Sequence, residues 1–237
     1  AAIAERRFAE AMSSGYGALD SGDFEAAARA FAQARALKPQ SDAPVQAMQR
    51  LARARDQAAL ADLRVQAQRQ VDREAWAEAV NTYRKALAID PNVTFAVQGL
   101  PQAQTRARMD AAITRYLADP TRLYSREPLA NAIALMDSIA RIDNPGPKLA
   151  AQSKALARLI EAARTPVGVA FASDGLTEVS IFTIGPLGRF TEKSLDLTPG
   201  DYIAVGTRKG YRDVRVEFSV RPNRPPDTIV VICRETV

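Results

Sequence analysis

The 237-residue chain contains no histidine and a single cysteine, Cys233. Without histidine there is no imidazole to activate a serine, to bind zinc or to titrate near neutral pH. A lone cysteine cannot form an internal disulfide, and Cys233 lies in the apolar run of residues 228–233, where we expect a small buried residue of a strand. No loop clusters enough carboxylates for an oxygen-ligated metal. The sequence therefore predicts no metal site and no cofactor.

Catalytic motifs and long apolar runs are also missing. The glycine-containing segment at residues 185–189 lacks the Lys and Ser/Thr of a phosphate-binding loop, so we interpret it as a β-turn loop. Asp20 and Asp23 fall before a helix, where such carboxylates serve as caps rather than as an acid–base pair. No window approaches the ~18 to 20 apolar residues of a membrane helix. We expect a protein that is not an enzyme.

The charge is unevenly placed but mild. The chain has 32 basic and 27 acidic residues, of which residues 1–164 hold 23 and 18 and the remainder holds nine of each. A solvated helix surface explains an excess of this size, and binding of an anionic partner is the alternative. No surface interleaving arginine with aromatic residues is evident, so we expect no nucleic acid among the partners.

Composition changes near residue 165. Ala, Leu, Arg and Gln dominate residues 1–164, whereas residues 165–237 are rich in Val, Ile, Thr, Gly and Pro. This change predicts α + β architecture in separate domains, with helices in residues 1–164 and a β-sandwich in residues 165–237.

A repeat organises the first part. Phe24, Ala27 and Phe31, with Pro39 after them, are answered 52 residues later by Trp76, Ala79, Tyr83 and Pro91. Large rings and small alanines at this spacing share one helical face, so they are expected to pack neighbouring helices together. A weaker third copy follows at an offset of 53, with Ala132 and Met136 in place of Ala79 and Tyr83.

These residues, with Gly15 and the segment Gly22-Asp23-Phe24, resemble the tetratricopeptide repeat, a family of stacked helical hairpins that binds proteins. That family recurs at about 34 residues. The 18 extra residues make about five helical turns, which would lengthen a helix while keeping its faces in phase. We therefore predict one long helix over residues 44–72, about 40 Å long at the standard rise. Short helices are expected near residues 24–37, 76–89 and 128–142.

Two further helices are predicted. One long helix spans residues 93–117, with a kink or break where Gly99 and Pro101 interrupt it. The last helix runs from Pro147 to Arg164. The result is an antiparallel array of α-hairpins that alternates short and long helices.

From Pro166 onward the apolar period becomes two. Val214, Val216 and Phe218 alternate with Arg215 and Glu217, as in a strand with one buried and one wet face. Further strands are predicted from residue 167 and over residues 179–184, 194–197, 202–207 and 228–233, with turns at Pro199-Gly200 and Lys209-Gly210. About six short strands in some 70 residues favour a small β-sandwich.

The segment from Leu195 to Tyr202 reads LDLTPGDY, and Lys209-Gly210-Tyr211 follows it before the strand of residues 214–220. This pattern resembles the later half of a PEGA domain, a β module found largely in prokaryotic envelope and surface proteins. The resemblance implies a binding module without catalytic residues. The tetrapeptide that gives the family its name is absent; Asp174-Gly175-Leu176-Thr177 stands near its place.

Two surfaces are candidates for a partner. On the long helix of residues 44–72, Arg50, Arg53 and Arg64 fall on one side together with Gln46, Gln57 and Gln68. That side is either a solvated back face or a contact for an acidic protein or glycan. On the β module, Tyr202, Tyr211 and Phe190 are the aromatic residues that a glycan ligand would require exposed.

The two resemblances together predict a non-catalytic protein–protein adaptor of the bacterial cell envelope. The start at Ala1 rather than Met favours a processed or trimmed form, so we expect a periplasmic location with a signal or membrane tether upstream. Two alternatives remain: a module that binds cell-wall glycan, and a cytoplasmic regulatory adaptor.

Overall fold

The computed structural model describes residues 2–237, and it contains helices followed by strands. The helices are α1 (Ala2–Asp20), α2 (Phe24–Leu37), α3 (Ala43–Asp72), α4 (Trp76–Ile89), α5 (Thr94–Ala118), a 3₁₀ helix (Pro120–Tyr124), α6 (Arg126–Ile139) and α7 (Pro147–Arg164). The strands are β1 (Val167–Ala172), β2 (Glu178–Ile181), β3 (Gly185–Gly188), β4 (Glu192–Leu197), β5 (Gly200–Thr207), β6 (Val214–Val220) and β7 (Ile229–Val230). The predicted class, helical hairpins followed by a small β-sandwich, is confirmed.

Helices α2 and α4 show the 52-residue repeat in three dimensions. Both are 14 residues long, and their first residues, Phe24 and Trp76, are 52 positions apart. The tight turns before them also correspond, because Gly22 and Glu74, again 52 apart, both adopt positive φ, at 80° and 54°. The repeat therefore fixes backbone conformation as well as packing positions.

The 30-residue helix α3 is shared by two cores. In its first part, Ala47 and Leu51 pack with Phe31 of α2. Near its end, Ala67 packs with Trp76 and other residues of α4. The extra five turns thus let two short helices pack along different stretches of one long helix.

Helix α5 excludes one of two expectations. The sequence predicts a kink or a break at Gly99 and Pro101, and the helix continues without a break from Thr94 to Ala118 with Pro101 inside it. Proline removes one backbone donor, but packing on both sides of it holds the helix: Gly99 lies against the Tyr83 ring, and Ala103 is buried in the same core. Tertiary packing outweighs the local cost of proline.

Contacts divide the chain into two compact units, one ending at Ala107 and one from Arg108 to Val237. The second unit contains the end of α5, α6, α7 and all seven strands. The predicted domains, residues 1–164 and 165–237, are divided where the chain changes from helix to strand. That each of them folds and functions independently stays a prediction.

The helical part of the second unit is centred on Leu123, Ala132 and Leu156, all fully buried. Helix α6 begins two residues before the predicted start and ends three residues early, at Ile139. Asn144 and Gly146, both at positive φ, form the connection to α7. Helix α7 has the predicted bounds.

The strands form two sheets, ordered β4-β1-β7 and β3-β2-β5-β6. All pairings are antiparallel except that of β1 with β7. Residues 185–188 are predicted as part of a turn loop, but they form β3. Pro186 is tolerated there because β3 is an outermost strand of its sheet, where the missing N–H breaks no ladder. The predicted strand over residues 228–233 is regular only at Ile229 and Val230.

The sandwich core holds Val169, Phe171, Val179 and Val220 among its fully buried side chains. The C-terminal segment completes it beyond β7. There Cys233 is 2% exposed, its Sγ donates to the Gly206 carbonyl at 3.3 Å, and its N–H donates to the buried Thr177 hydroxyl. The cysteine is a small core residue, as expected, although it lies beyond the regular strand.

Candidate functional site

The middle of α3 is the longest stretch of helix in the first unit without a fully buried residue. Between Leu51 and Ala67 no side chain is buried, and Leu60 and Leu63 are only half-buried, at the edge of the α4 core. Residues 52–66 thus form about four helical turns that are mostly solvated. A helix with so little packing is found where it bridges other elements. We define residues 46–68 as the α3 surface.

The three arginines predicted for a partner lie on the α3 surface. Arg50, Arg53 and Arg64 are all exposed. The Arg50 guanidinium lies 5.5 Å from the centre of the Tyr16 ring, and Arg53 donates to the Gln49 carbonyl of its own helix. Within residues 2–237 no carboxylate forms an ion pair with any of the three. Their charges therefore remain available to an anionic group.

Arg55, also on α3, has a different role. Its guanidinium donates to the Phe24 carbonyl at 3.0 Å and to the Glu25 carboxylate at 2.6 Å, both in the first turn of α2. This contact joins the middle of α3 to the start of α2. Sequence reasoning does not separate Arg55 from its neighbours, because the partner lies 30 residues away.

The residues predicted to pack the repeats lie inside the two helical cores. Ala27, Phe31 and Ala79 are fully buried, Trp76 and Tyr83 are 7% and 8% exposed, and Phe24 is half-buried at the edge. Burial raises the pKa of the Tyr83 phenol. None of these side chains is on a surface where it would contact a partner.

The three aromatic residues predicted as candidates for a glycan, Phe190, Tyr202 and Tyr211, are half-buried. Tyr202 stacks on Phe218, with ring centres 5.5 Å apart, and its hydroxyl donates to the Thr198 carbonyl. The Arg208 guanidinium lies 4.1 Å from the centre of the Tyr211 ring, and the Lys193 ammonium lies 5.8 Å from that of Phe190. Each ring is thus engaged within the module, and these contacts leave less of it for stacking on a sugar.

Phe182, which the sequence reasoning does not single out, is the most exposed ring. It occupies the turn between β2 and β3 and is 83% exposed, with Ile184 48% exposed beside it. The apolar run of residues 179–184 predicts a strand throughout and gives no sign that the strand turns after Ile181. The turn becomes visible only through the pairing of β2 with β3.

A buried polar cluster in the first unit is also not predicted from the sequence. Glu74 and Arg106 form an ion pair at 3.4 Å, with side chains 6% and 9% exposed, and the Arg106 guanidinium lies 4.9 Å from the centre of the Trp76 ring. Gln70 is buried beside the same turn, at 5% exposure. The one available signal is Glu74 itself, because it replaces the Gly22 of the first repeat.

Three carboxylates have lowered pKa values, and each has a structural cause. Backbone N–H groups of Thr177 and Leu176, together with Arg208, hold the pKa of Asp174 at about 2. Ser219 and Arg221 lower the pKa of Asp201. Burial opposes ionisation of Asp110, but hydrogen bonds from Lys148 and Gln152 outweigh it and lower its pKa. All three groups stay ionised at neutral pH and fix loops or pair elements.

Other chemical features are few. No group of three or more metal-ligating side chains occurs within the described residues. Over the same part of the chain, no helix has both the length and the apolar character needed to cross a membrane. An open depression of about 460 Å³ lies where α7 meets β1, and its charged lining residues are Arg158 and Glu161.

Comparison with known proteins assigns no family. No protein-family model matches the chain, and no curated protein matches it. Among solved structures, the N-terminal part of the bacterial S-layer protein SbsC aligns with 93% of this chain and 77% of its own, at 16% identity and a TM-score of 0.32. A score this low supports no argument about fold or function.

Proposed function

We propose that the chain is a non-catalytic protein–protein adaptor of the bacterial cell envelope, in which the α3 surface binds an acidic partner protein. The observation that carries the proposal is the solvated middle of α3. Residues 52–66 extend a helix by about four turns without adding a fully buried position. No carboxylate of the described residues pairs with the exposed Arg53 or Arg64. An acidic partner would supply carboxylates to both.

The β module supports the second part of the proposal, the envelope location. Its resemblance to PEGA domains favours an envelope location and a second contact, either with another envelope component or with the next copy of the chain. The resemblance of the helical part to tetratricopeptide repeats likewise favours protein binding. Both are analogies at the level of a fold, so the test must identify the contact itself.

Site-specific crosslinking tests the α3 surface. A photo-crosslinking residue in place of Gln57, at the centre of the surface, should capture an envelope protein in cells. Reversing two charges, Arg53→Glu with Arg64→Glu, should abolish that capture. The matched control reverses Arg35 and Arg84, which are exposed on α2 and α4 and change the net charge equally; it should leave capture unchanged.

Three outcomes would contradict the proposal, each in a different part. Capture of only cytosolic proteins would favour the cytoplasmic regulatory adaptor. Capture unaffected by the α3 reversal would remove the α3 surface from the proposal. Sedimentation with isolated cell-wall glycan that is insensitive to the α3 charges, but lost in Phe190→Ala and Tyr211→Ala, would establish a glycan-binding module instead.

A further inference from the structure

Strand β6 has an unpaired edge. It ends the sheet order β3-β2-β5-β6, and its seven residues, Val214–Val220, pair along their whole length with β5. Among residues 2–237 no other strand pairs with it. The side chains of Arg215 and Glu217 are 63% and 72% exposed, so solvent reaches the outer face of this strand. An unpaired edge of this length is a template for another strand.

Alternation along the strands shows which backbone groups point outward. The Phe182 N–H donates to the Ile203 carbonyl at 3.0 Å, so odd-numbered residues of β5 turn their backbone groups toward β2. Even-numbered residues of β5 therefore bond to β6, where their partners are also even-numbered. Arg215, Glu217 and Ser219 consequently direct their N–H and C=O groups away from β5. The edge offers alternating donors and acceptors over five residues.

The charge pattern of this edge is self-complementary. When two copies of β6 run antiparallel about a two-fold axis at Val216, Arg215 of each copy lies opposite Glu217 of the other. Opposite charges in directly facing positions stabilise a strand pair, and like charges destabilise it. Both residues direct their backbone groups outward, so each facing pair would also exchange two backbone hydrogen bonds.

Several other two-fold registers oppose like charges. An axis at Arg215 or at Glu217 places that residue opposite itself, and an axis at Phe218 places Arg215 opposite Arg221. The Val216 register also brings together the side chains of Val214 and Phe218, on the apolar side of the strand. Among the registers that overlap at least five residues of β6, the charge pattern thus favours the one centred on Val216.

We propose that two copies of this chain associate through antiparallel pairing of β6 with β6, centred on Val216, which joins two four-stranded sheets into one of eight strands. Such an isologous contact uses the same surface on both copies. The association lies on a different element from the α3 surface, goes beyond the adaptor proposal and does not depend on it.

Charge exchange tests the pairing in the full chain. Sedimentation of the wild type from about 1 to 200 µM should show a monomer–dimer equilibrium. Arg215→Glu and Glu217→Arg, each alone, place like charges opposite each other twice and should weaken the dimer at least about tenfold. The double variant restores two opposite pairs and should recover dimerisation. Circular dichroism and a thermal midpoint establish that each variant folds.

A cysteine crosslink tests the register. In a non-hydrogen-bonded antiparallel pair, facing residues are close enough for a disulfide. Val216→Cys should therefore form a covalent dimer on mild oxidation, whereas Val214→Cys, which would face Phe218 of the other copy, should not. The native Cys233 is 2% exposed and does not compete. A wild type that stays monomeric at about 200 µM, a dimer insensitive to both single reversals, or equal crosslinking at residues 214 and 216 would overturn the proposal.

Discussion

Gly15 of α1 lies directly beneath the ring of Phe31 in α2. A Cβ atom on Gly15 would be 2.4 Å from the Phe31 Cε1 atom, well inside van der Waals contact. The missing side chain is therefore what allows the two helices of the first hairpin to approach. Gly99 and Tyr83 repeat this relationship between α5 and α4, again at 2.4 Å.

The first prediction concerns Gly15. Gly15→Ala should destabilise the first unit by about 1–3 kcal/mol, because the buried Phe31 ring must move to admit a methyl group. Gly17 is the matched control, since it lies in the same helix and a Cβ atom there would meet no heavy atom within 4 Å. Gly17→Ala should stabilise the protein by up to about 1 kcal/mol through helix propensity. Urea unfolding measures both; equal effects would contradict the close approach.

The second prediction concerns the buried ion pair. Glu74→Gln removes one charge and leaves the Arg106 guanidinium without its carboxylate in the core, so it should cost about 3–5 kcal/mol. Glu78→Gln is the control, because Glu78 pairs with Arg73 on the surface, where both side chains are more than half exposed. Its cost should stay below about 1 kcal/mol.

Glu74→Gly separates strain from charge. Glycine relieves the positive φ of 54°, which costs an ordinary residue about 1–2 kcal/mol, but it also removes the carboxylate. We expect net destabilisation, because loss of the charge partner outweighs the relieved strain. A variant more stable than the wild type in urea unfolding would show that the pair contributes little.

The third prediction is a pH dependence. The pKa of Asp174 is about 2 in the folded protein, against an ordinary value of 3.8. A depressed folded pKa contributes stability that is fully present above the ordinary value and is lost as the pH falls toward 2. The wild type should therefore lose stability more steeply between about pH 4 and 2 than Asp174→Asn does. Unfolding by urea at a series of pH values measures the difference; parallel curves would contradict it.

The fourth prediction uses the single native thiol. Because Cys233 is 2% exposed, a thiol reagent should modify it only when the β module opens, at a rate that rises with urea. Leu176→Cys adds a thiol at a position 53% exposed in the native protein, and it should react at once as an internal reference. Rapid modification of both thiols in native buffer would show that the C-terminal segment does not close the sandwich.

Much of the helical architecture can be predicted from the spacing of particular residues along the chain. Proline and aromatic spacing locates α2 and α4 to the residue, because short amphipathic helices with clear ends are decided locally. Glycine and proline are less informative where packing overrides them. Pro101 lies inside a continuous helix, and residues 185–188 form a strand, since neighbouring elements supply the contacts that local propensity opposes.

The candidate surfaces are likewise predicted only in part from the sequence. The sequence places Arg50, Arg53 and Arg64 on one helical side, because that follows from the helical period alone. It does not show that Arg55 holds α2, or that Glu74 and Arg106 pair 32 residues apart. These contacts depend on which distant segments meet, and no periodic pattern encodes that.

By itself, the sequence determined the change from helices to strands, the 52-residue repeat, the alternating face of β6 and the absence of histidine chemistry. These are properties of neighbouring residues, and the periods of helix and strand convert them directly into structure. Only the tertiary structure decided which residues are solvated on α3, which carboxylates are paired, and which strand is left at the sheet edge. Those depend on long-range packing, because burial and pairing are defined by the whole chain.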